Sequence, residues 1–584
     1  MREQAEGQGS AERPTTSTAS SAQPEPVSRS GWLGLAVLLL SLFGLGLFVR
    51  LQMLDSAVVN ADSISPYLKA LMVETGRRFL PQGPFPESGY IFAWIYLPYL
   101  LLADSLREAF ALRFAFHACL APMLAGGVWW SLRRILPQAP GLALIPAGLT
   151  GIFLALSPGL ADTLLTGYQT FDAPVYAAFP ILGMLLALYG GPSRLVPWLI
   201  LPFLPILAMI HPFASIYTLA LLPFMAWEIR HRGLRPFLPA FSVAVLIALP
   251  HLIKHLAPLL RGPEAFSEHF WQIAHSPGRY PSLWAALWKV AQEELLSREP
   301  WAHGLLLVTP LWGWLSLPLL KLGLHDPVKQ ENWQKWVLWV SWVSLLPLSL
   351  VLLASQVEYL QPYHARLLYP AYAVLWGIWA GYFIDALSRM HFRLRGGGAL
   401  TILLLSLGVA WQLWTHRYPP PASGADALAF HTRVAARIQA DAGPRGRVMN
   451  HLYLSNELRG SPGGLMLEQR LTGVSEGALR LSAEQLEHVP VYLLVFGKPE
   501  GLAQALSLCE LPGCRVLAQY PEEACHLLVY EHAEAVRQFA ASLCAASPLP
   551  FPVRVGGAND YLSALNLEHD TAQLPSWFAA CPAP

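Results

Sequence analysis

Charge is what this sequence has least of. Asp, Glu, Lys and Arg make up only 13% of its 584 residues, where soluble domains carry about 25%. An ordinary soluble globule is therefore excluded for most of its length. The 39 basic and 38 acidic residues nearly cancel, so no excess of either sign points to nucleic acid or to a cation partner. None of the six cysteines forms a C-x-x-C pair, and a structural zinc site is not expected. No G-x-G-x-x-G follows a predicted strand, and Gly463-Gly464 has no such setting, so nucleotide binding is unsupported. No internal repeat of fixed period is present.

In place of charge there are apolar runs. The chain is 54% hydrophobic, with a mean hydropathy of +0.39. Its 21 Trp and 50 Pro suit a membrane bundle with aromatic belts and broken helices. Residues 1–30 are rich in Ser, Thr, Gln, Glu and Pro and read as a disordered tail. Residues 31–49 are uncharged and long enough to span, which predicts a signal anchor rather than a cleaved signal peptide. Apolar runs follow at 114–132, 140–161, 173–193, 195–211, 212–227, 236–250, 304–320, 336–356, 367–384 and 398–415.

Basic residues orient these spans. Arg133-Arg134, Arg194, Arg230 to Arg235, Lys329 to Lys335, and Arg389 to Arg395 follow alternate spans. One arrangement makes all of them cytoplasmic, with about eleven transmembrane helices, the N-terminus in and the C-terminus out. The run 89–103 is too short to count as a span and is expected to lie on the outer face. Residues 51–113 then form one long first external loop with juxtamembrane helices, inside a transmembrane domain of 31–415.

The tail, 416–584, changes character. A helix is predicted at 425–442, strands at 447–454, 491–496, 515–520 and 526–530, and further helices at 499–508 and 533–545. This is a small soluble α/β domain outside the cytoplasm. Cys509, Cys514, Cys525, Cys544 and Cys581 fall there, so one or two disulfides are expected.

Several residues could carry chemistry. Asp62 stands just beyond the first span, and on composition alone it reads as a solvated loop acid. Asp172 precedes Pro174 at the start of an apolar run. Locally it reads as a helix N-cap. Gln361 to Arg366 opens another span at the outer face. Arg366 there reads either as a bidentate phosphate ligand or as a side chain reaching lipid headgroups. His211, beside Pro212, breaks an apolar hairpin and reads equally as a functional ionisable group or as an interfacial imidazole. His117 reads as an imidazole satisfied by a neighbour. Lys254-His255 and Glu293-Glu294 read as solvated faces.

The order of these elements resembles the GT-C glycosyltransferases. The matching pieces are Asp62, then 81–94, Ala111-Leu112-Arg113, Arg133-Arg134, Leu156-Ser157-Pro158 and Phe171-Asp172-Ala173-Pro174. Within that superfamily the chain looks most like the protein O-mannosyltransferases and the lipid A aminoarabinose transferases. The likeness covers about residues 30–230 well and 355–420 loosely. It implies an integral membrane enzyme moving a sugar, by inversion, from a polyprenyl-phosphate donor to an extracytoplasmic lipid, glycan or protein acceptor. Asp62 matches the family's catalytic acid, the general base. Asp172 matches the second acid. Arg366, with His364 and Tyr363, falls where relatives carry an Arg-rich phosphate element, and Arg113 and His211 are accessory candidates. No cofactor is implied. Many relatives have a second acid directly after the first, but Ser63 follows Asp62 here, which weakens a paired-carboxylate metal site. The rival reading is a non-enzymatic multi-span transporter or envelope-assembly subunit. Transporters usually show repeats and mid-membrane ionisable groups, whereas the charges here collect at the outer face and in loops.

Overall fold

A computed structural model of the chain describes residues 29–54, 57, 66–67, 70, 89–136, 140–157, 160, 172–190, 193–256, 262–264, 282–290, 292, 309–317, 327–357, 362–388, 427–442, 447–454, 491–497, 502–503, 506–507, 509, 513–531 and 554–556. The expected span at 398–415, the helix at 533–545 and most of that at 499–508 lie outside these residues.

The membrane body is helical. Its elements are α1 (Arg29–Gln52), α2 (Gly89–Leu102), α3 (Leu106–Ala118), α4 (Leu120–Ile135), α5 (Leu144–Leu156), α6 (Ala173–Tyr189), α7 (Leu195–Ile200), α8 (Phe203–Ile210) and α9 (Ile216–Arg232). They continue with α10 (Leu238–Leu256), α11 (Leu283–Val290), α12 (Thr309–Leu315), α13 (Pro327–Val357), the 3₁₀ segment Pro362–Leu368 and α14 (Tyr369–Ser388). Among the described residues five helical stretches are long and apolar enough to cross a membrane: Gly31–Gln52, Leu106–Ile135, Arg235–Ile253, Trp333–Leu353 and His364–Asp385. Gly141–Leu156, Ala173–Tyr189 and Leu195–Ile210 are shorter apolar helices. At 14 residues, α2 is about 21 Å long, less than the ~30 Å hydrocarbon core.

Close packing around α1, α4, α5, α6 and α14 forms the centre of the body. Small residues permit it. A Cβ at Gly377 of α14 would meet the Thr150 hydroxyl at 2.2 Å and the Pro146 carbonyl at 3.4 Å. A Cβ at Gly151 of α5 would meet Leu42 of α1 at 2.2 Å. Helices that gain little from apolar burial in lipid associate through such close backbone approach.

The body has two chemically distinct ends. At one, Arg134 donates to the Tyr189 carbonyl, the Tyr189 and Tyr382 hydroxyls hydrogen-bond at 3.1 Å, Lys335 lies over the Tyr189 ring, and Arg232 donates to the Ser193 carbonyl at 3.2 Å. Several basic residues expected to share one face do so. At the other end lie the C-termini of α1, α5 and α8 and the N-termini of α6, α9 and α14, with the described site residues among them.

The tail is a small α/β unit. Helix α15 (Ala427–Ala442) packs on a five-stranded sheet of β1 (Arg447–Leu454), β2 (Val491–Gly497), β3 (Cys514–Tyr520), β4 (Cys525–Tyr530) and β5 (Arg554–Gly556). The order is β3-β4-β2-β1-β5. Among the described residues only β1 and β2 pair in parallel; the other three pairs are antiparallel. The expected strands all form, and β5 was not foreseen, because three residues carry too short an alternation to read. A disulfide joins Cys509 to Cys514, and Cys525 is buried. Helix α15 also packs on α3, and its Leu428 belongs to the core of the membrane body.

Candidate active site

The centre of the site is a carboxylate with every oxygen engaged. Asp172 stands at the N-cap of α6, 1% exposed. Its side chain caps no backbone amide, so the helix-cap reading is corrected. It turns instead to three side chains from two other helices. Arg113 of α3 grips it two-handed, Nε to one oxygen and Nη2 to the other, both at 3.3 Å. His117 Nε2 meets the first oxygen at 2.8 Å. The Tyr96 hydroxyl of α2 donates to the second. Arg113 and His117, four apart on α3, present one face of a helix to the same partner.

Aromatic rings wall the cluster. Tyr67 stands edge-on to Tyr96 at 4.7 Å and stacks on Phe110 at 5.5 Å. The Arg113 guanidinium lies 5.3 Å from the Tyr96 ring centre. An ionised group in this apolar body is tolerated only when paired and hydrogen-bonded, and the cluster meets that condition for both Arg113 and Asp172. It also explains why Arg113, placed in the first external loop by sequence, lies inside the helical stretch Leu106–Ile135. Its charge is neutralised by a residue 59 positions away, which a local count of charges does not register.

A second group gathers where the 3₁₀ segment Pro362–Leu368 meets α8 and α9. His364 and His211 lie ring to ring at 5.1 Å, and Phe213 is 4.1 Å from His364. His211 Nδ1 accepts from the Phe213 amide at 3.2 Å. The Tyr217 hydroxyl donates to the Leu367 carbonyl at 2.6 Å, fastening the segment to α9. Arg366 is 3% exposed and His364 fully buried. Burial corrects the reading of Arg366 as a side chain reaching out to lipid headgroups. Tyr363 belongs to the same segment.

Asp62 lies outside the described residues. The structure thus brings Asp172 to Arg113, and His211 to His364. Sequence reading missed Tyr96 and Tyr67, which sit among many aromatic residues with no pattern to single them out. For His117 the reading of a satisfied imidazole holds, and the neighbour that satisfies it is Asp172. Among the described residues no three His, Cys, Asp or Glu side chains gather as metal ligands.

No family sequence model matches the chain, and no curated protein matches it by sequence. Among solved structures it is similar to ArnT from Cupriavidus metallidurans bound to undecaprenyl phosphate, at 14% identity and a TM-score of 0.50. The likeness covers 87% of this chain and 99% of that one. With its apolar helices and C-terminal sheet, the chain has an ArnT-like polytopic fold.

Proposed function

We propose that the protein is an integral membrane glycosyltransferase that moves a sugar from a polyprenyl-phosphate-linked donor to an extracytoplasmic acceptor. The observation that carries this reading is the buried Asp172–Arg113–His117–Tyr96 cluster. It is assembled at the end of the bundle remote from Arg134, Arg232 and Lys335, in a fold shared with a protein holding undecaprenyl phosphate. Ionisable groups held at membrane depth mark function more often than stability.

In this reading the acceptor's hydroxyl or amine attacks the anomeric carbon. The carbon–oxygen bond to phosphate breaks, and the polyprenyl phosphate leaves with the electron pair. The proton passes to Asp62, the general base, and attack from the opposite face inverts the anomeric centre. Asp172 does not share that task, since its oxygens already accept from Arg113, His117 and Tyr96. It holds α2, α3 and α6 in register around the reacting groups. Arg366, with His364 and Tyr363, binds the donor phosphate, whose developing charge needs a cation. The N-terminus is cytoplasmic and the tail domain extracytoplasmic.

The test is release of polyprenyl phosphate from a lipid-linked sugar by purified protein in nanodiscs. Asp62→Asn keeps shape and removes proton-accepting power, so turnover should fall roughly 10²–10⁴-fold with donor binding kept. Unchanged turnover removes Asp62 from the role of base. Vectorial movement of a substrate in liposomes, with no release, favours the transporter reading.

A further inference from the structure

The first membrane helix ends with a cation in an unusual place. Arg50 lies two residues before the end of α1 and is 1% exposed. It stands at the end of the body opposite the other basic clusters. Its Nη1 donates to the Ala155 carbonyl at 3.2 Å and to the Gly46 carbonyl at 3.1 Å. Its Nη2 donates to the Leu154 carbonyl at 3.3 Å. Leu154 and Ala155 are in the last turn of α5, whose carbonyls have no partner within their own helix. A guanidinium at a helix C-terminus also meets the negative end of its dipole.

The surroundings are shaped for this side chain. A Cβ at Gly46 would come within 3.2 Å of Nη1 and 3.6 Å of Ala118 on α3. A glycine there lets α1 close on α3 and leaves room for the guanidinium. Arg50 also sits within electrostatic reach of His117, one of the groups on Asp172. Among the described residues its Nε has no hydrogen-bond partner. Burying a cation so incompletely satisfied is costly, and apolar packing would tie α1 to α5 without it.

We infer that Arg50 is a positioning residue: it clamps the end of α1 to the end of α5 and so fixes where the first external loop, carrying Asp62, leaves the body beside the Asp172 cluster. The inference rests on the glycosyltransferase reading for its effect on turnover, but not for the clamp itself. Five donors on a rigid fork suit three carbonyls on two helices, and a lysine ammonium cannot reproduce that geometry.

The experiment has two arms, both on the full chain in nanodiscs. In the first, spin labels at Leu51→Cys on α1 and Leu102→Cys on α2 report the distance distribution between the two helix ends. Leu51 and Leu102 are both exposed, and α2 carries Tyr96. Arg50→Met should broaden that distribution, and Arg50→Lys should broaden it less. In the second, Arg50→Met should lower kcat roughly 10- to 100-fold through misplacement, with donor KM held within about twofold and partial rescue by lysine. An unchanged distribution overturns the clamp. A broadened distribution with wild-type kcat overturns the positioning role. If wild-type protein releases no polyprenyl phosphate, the glycosyltransferase reading fails, and the distance arm alone decides the clamp.

Discussion

Asp172 and Arg113 are each other's condition for being buried. Removing one partner of such a pair leaves an uncompensated charge in an apolar body, at a cost of about 3–5 kcal/mol. Asp172→Asn should therefore lower the thermal stability of the purified protein as well as its turnover. The double variant Asp172→Asn with Arg113→Met removes both charges. It should recover most of the stability, read by intrinsic fluorescence melting, while turnover stays low. Recovery of turnover along with stability would reduce the cluster to scaffolding. Arg366 makes the contrasting case. Its proposed partner is the donor phosphate, so Arg366→Ala should raise donor KM roughly 10- to 100-fold, the equivalent of losing about 1.5–3 kcal/mol of charge-assisted hydrogen bonding. Arg366→Lys should rescue only in part, because a point charge lacks the guanidinium fork. Donor titrations on the three proteins check this.

At the scale of elements, how much could be read depended on how local each signal was. Helix α15 and strands β1 to β4 were legible because each carries its own periodicity within one short window, bounded by turn residues. The α2–α3–α6 convergence was not, because nothing near Asp172 in sequence announces that its partners are Tyr96, Arg113 and His117. The family-like order of short motifs brought Arg113 and Asp172 onto one list but did not say that they touch. Two element-scale expectations follow. Gly377→Val would drive branched carbons into Thr150 and toward the Pro146 backbone, where no flexible side-chain end can yield. Overpacking of that kind costs about 1–3 kcal/mol or more, visible as a lower melting temperature, whereas Gly44→Ala, with open space around it, should be silent. In the tail, the hydrogen bond from Arg515 at 2.6 and 2.5 Å, with a further one from Tyr492 at 2.8 Å, holds the Asp441 carboxyl below its ordinary value. A depressed folded-state value stabilises above the unfolded carboxyl's pKa of about 3.9, and that contribution is lost as pH falls through the folded value. Amide exchange in β3 and β4, corrected for intrinsic pH dependence, should lose protection below about pH 4. Asp441→Asn should be less protected at neutral pH and less sensitive to acid. Equal acid sensitivity in both proteins would place the titration elsewhere.

For the molecule as a whole, the basic residues supplied the arrangement of ends. Arg134, Arg232 and Lys335 meet at one end, with Tyr189 and Ser193 at its centre, while Asp172 and His364 lie at the other. The side of the membrane each end faces is a matter for reporter fusions. Fusions after Arg232 should report the cytoplasm, and fusions after Ala422 the opposite side. Phosphatase activity at the first point would invert the proposed orientation. The same arrangement has a consequence in time. Arg113 and His117 leave the ribosome before Asp172, and 59 residues separate Arg113 from its partner. At roughly 5–20 residues per second, that is about 3 to 12 s of synthesis. Throughout that interval the apolar helical stretch Leu106–Ile135 carries an arginine with no counter-charge, at the moment when it must choose between lipid and water. The α3–α4 stretch is thus provisional until α6 arrives, and an Asp172→Ala chain never receives the signal that makes it final. In a pulse-chase experiment such a chain should be synthesised normally and then cleared early, before any question of catalysis arises.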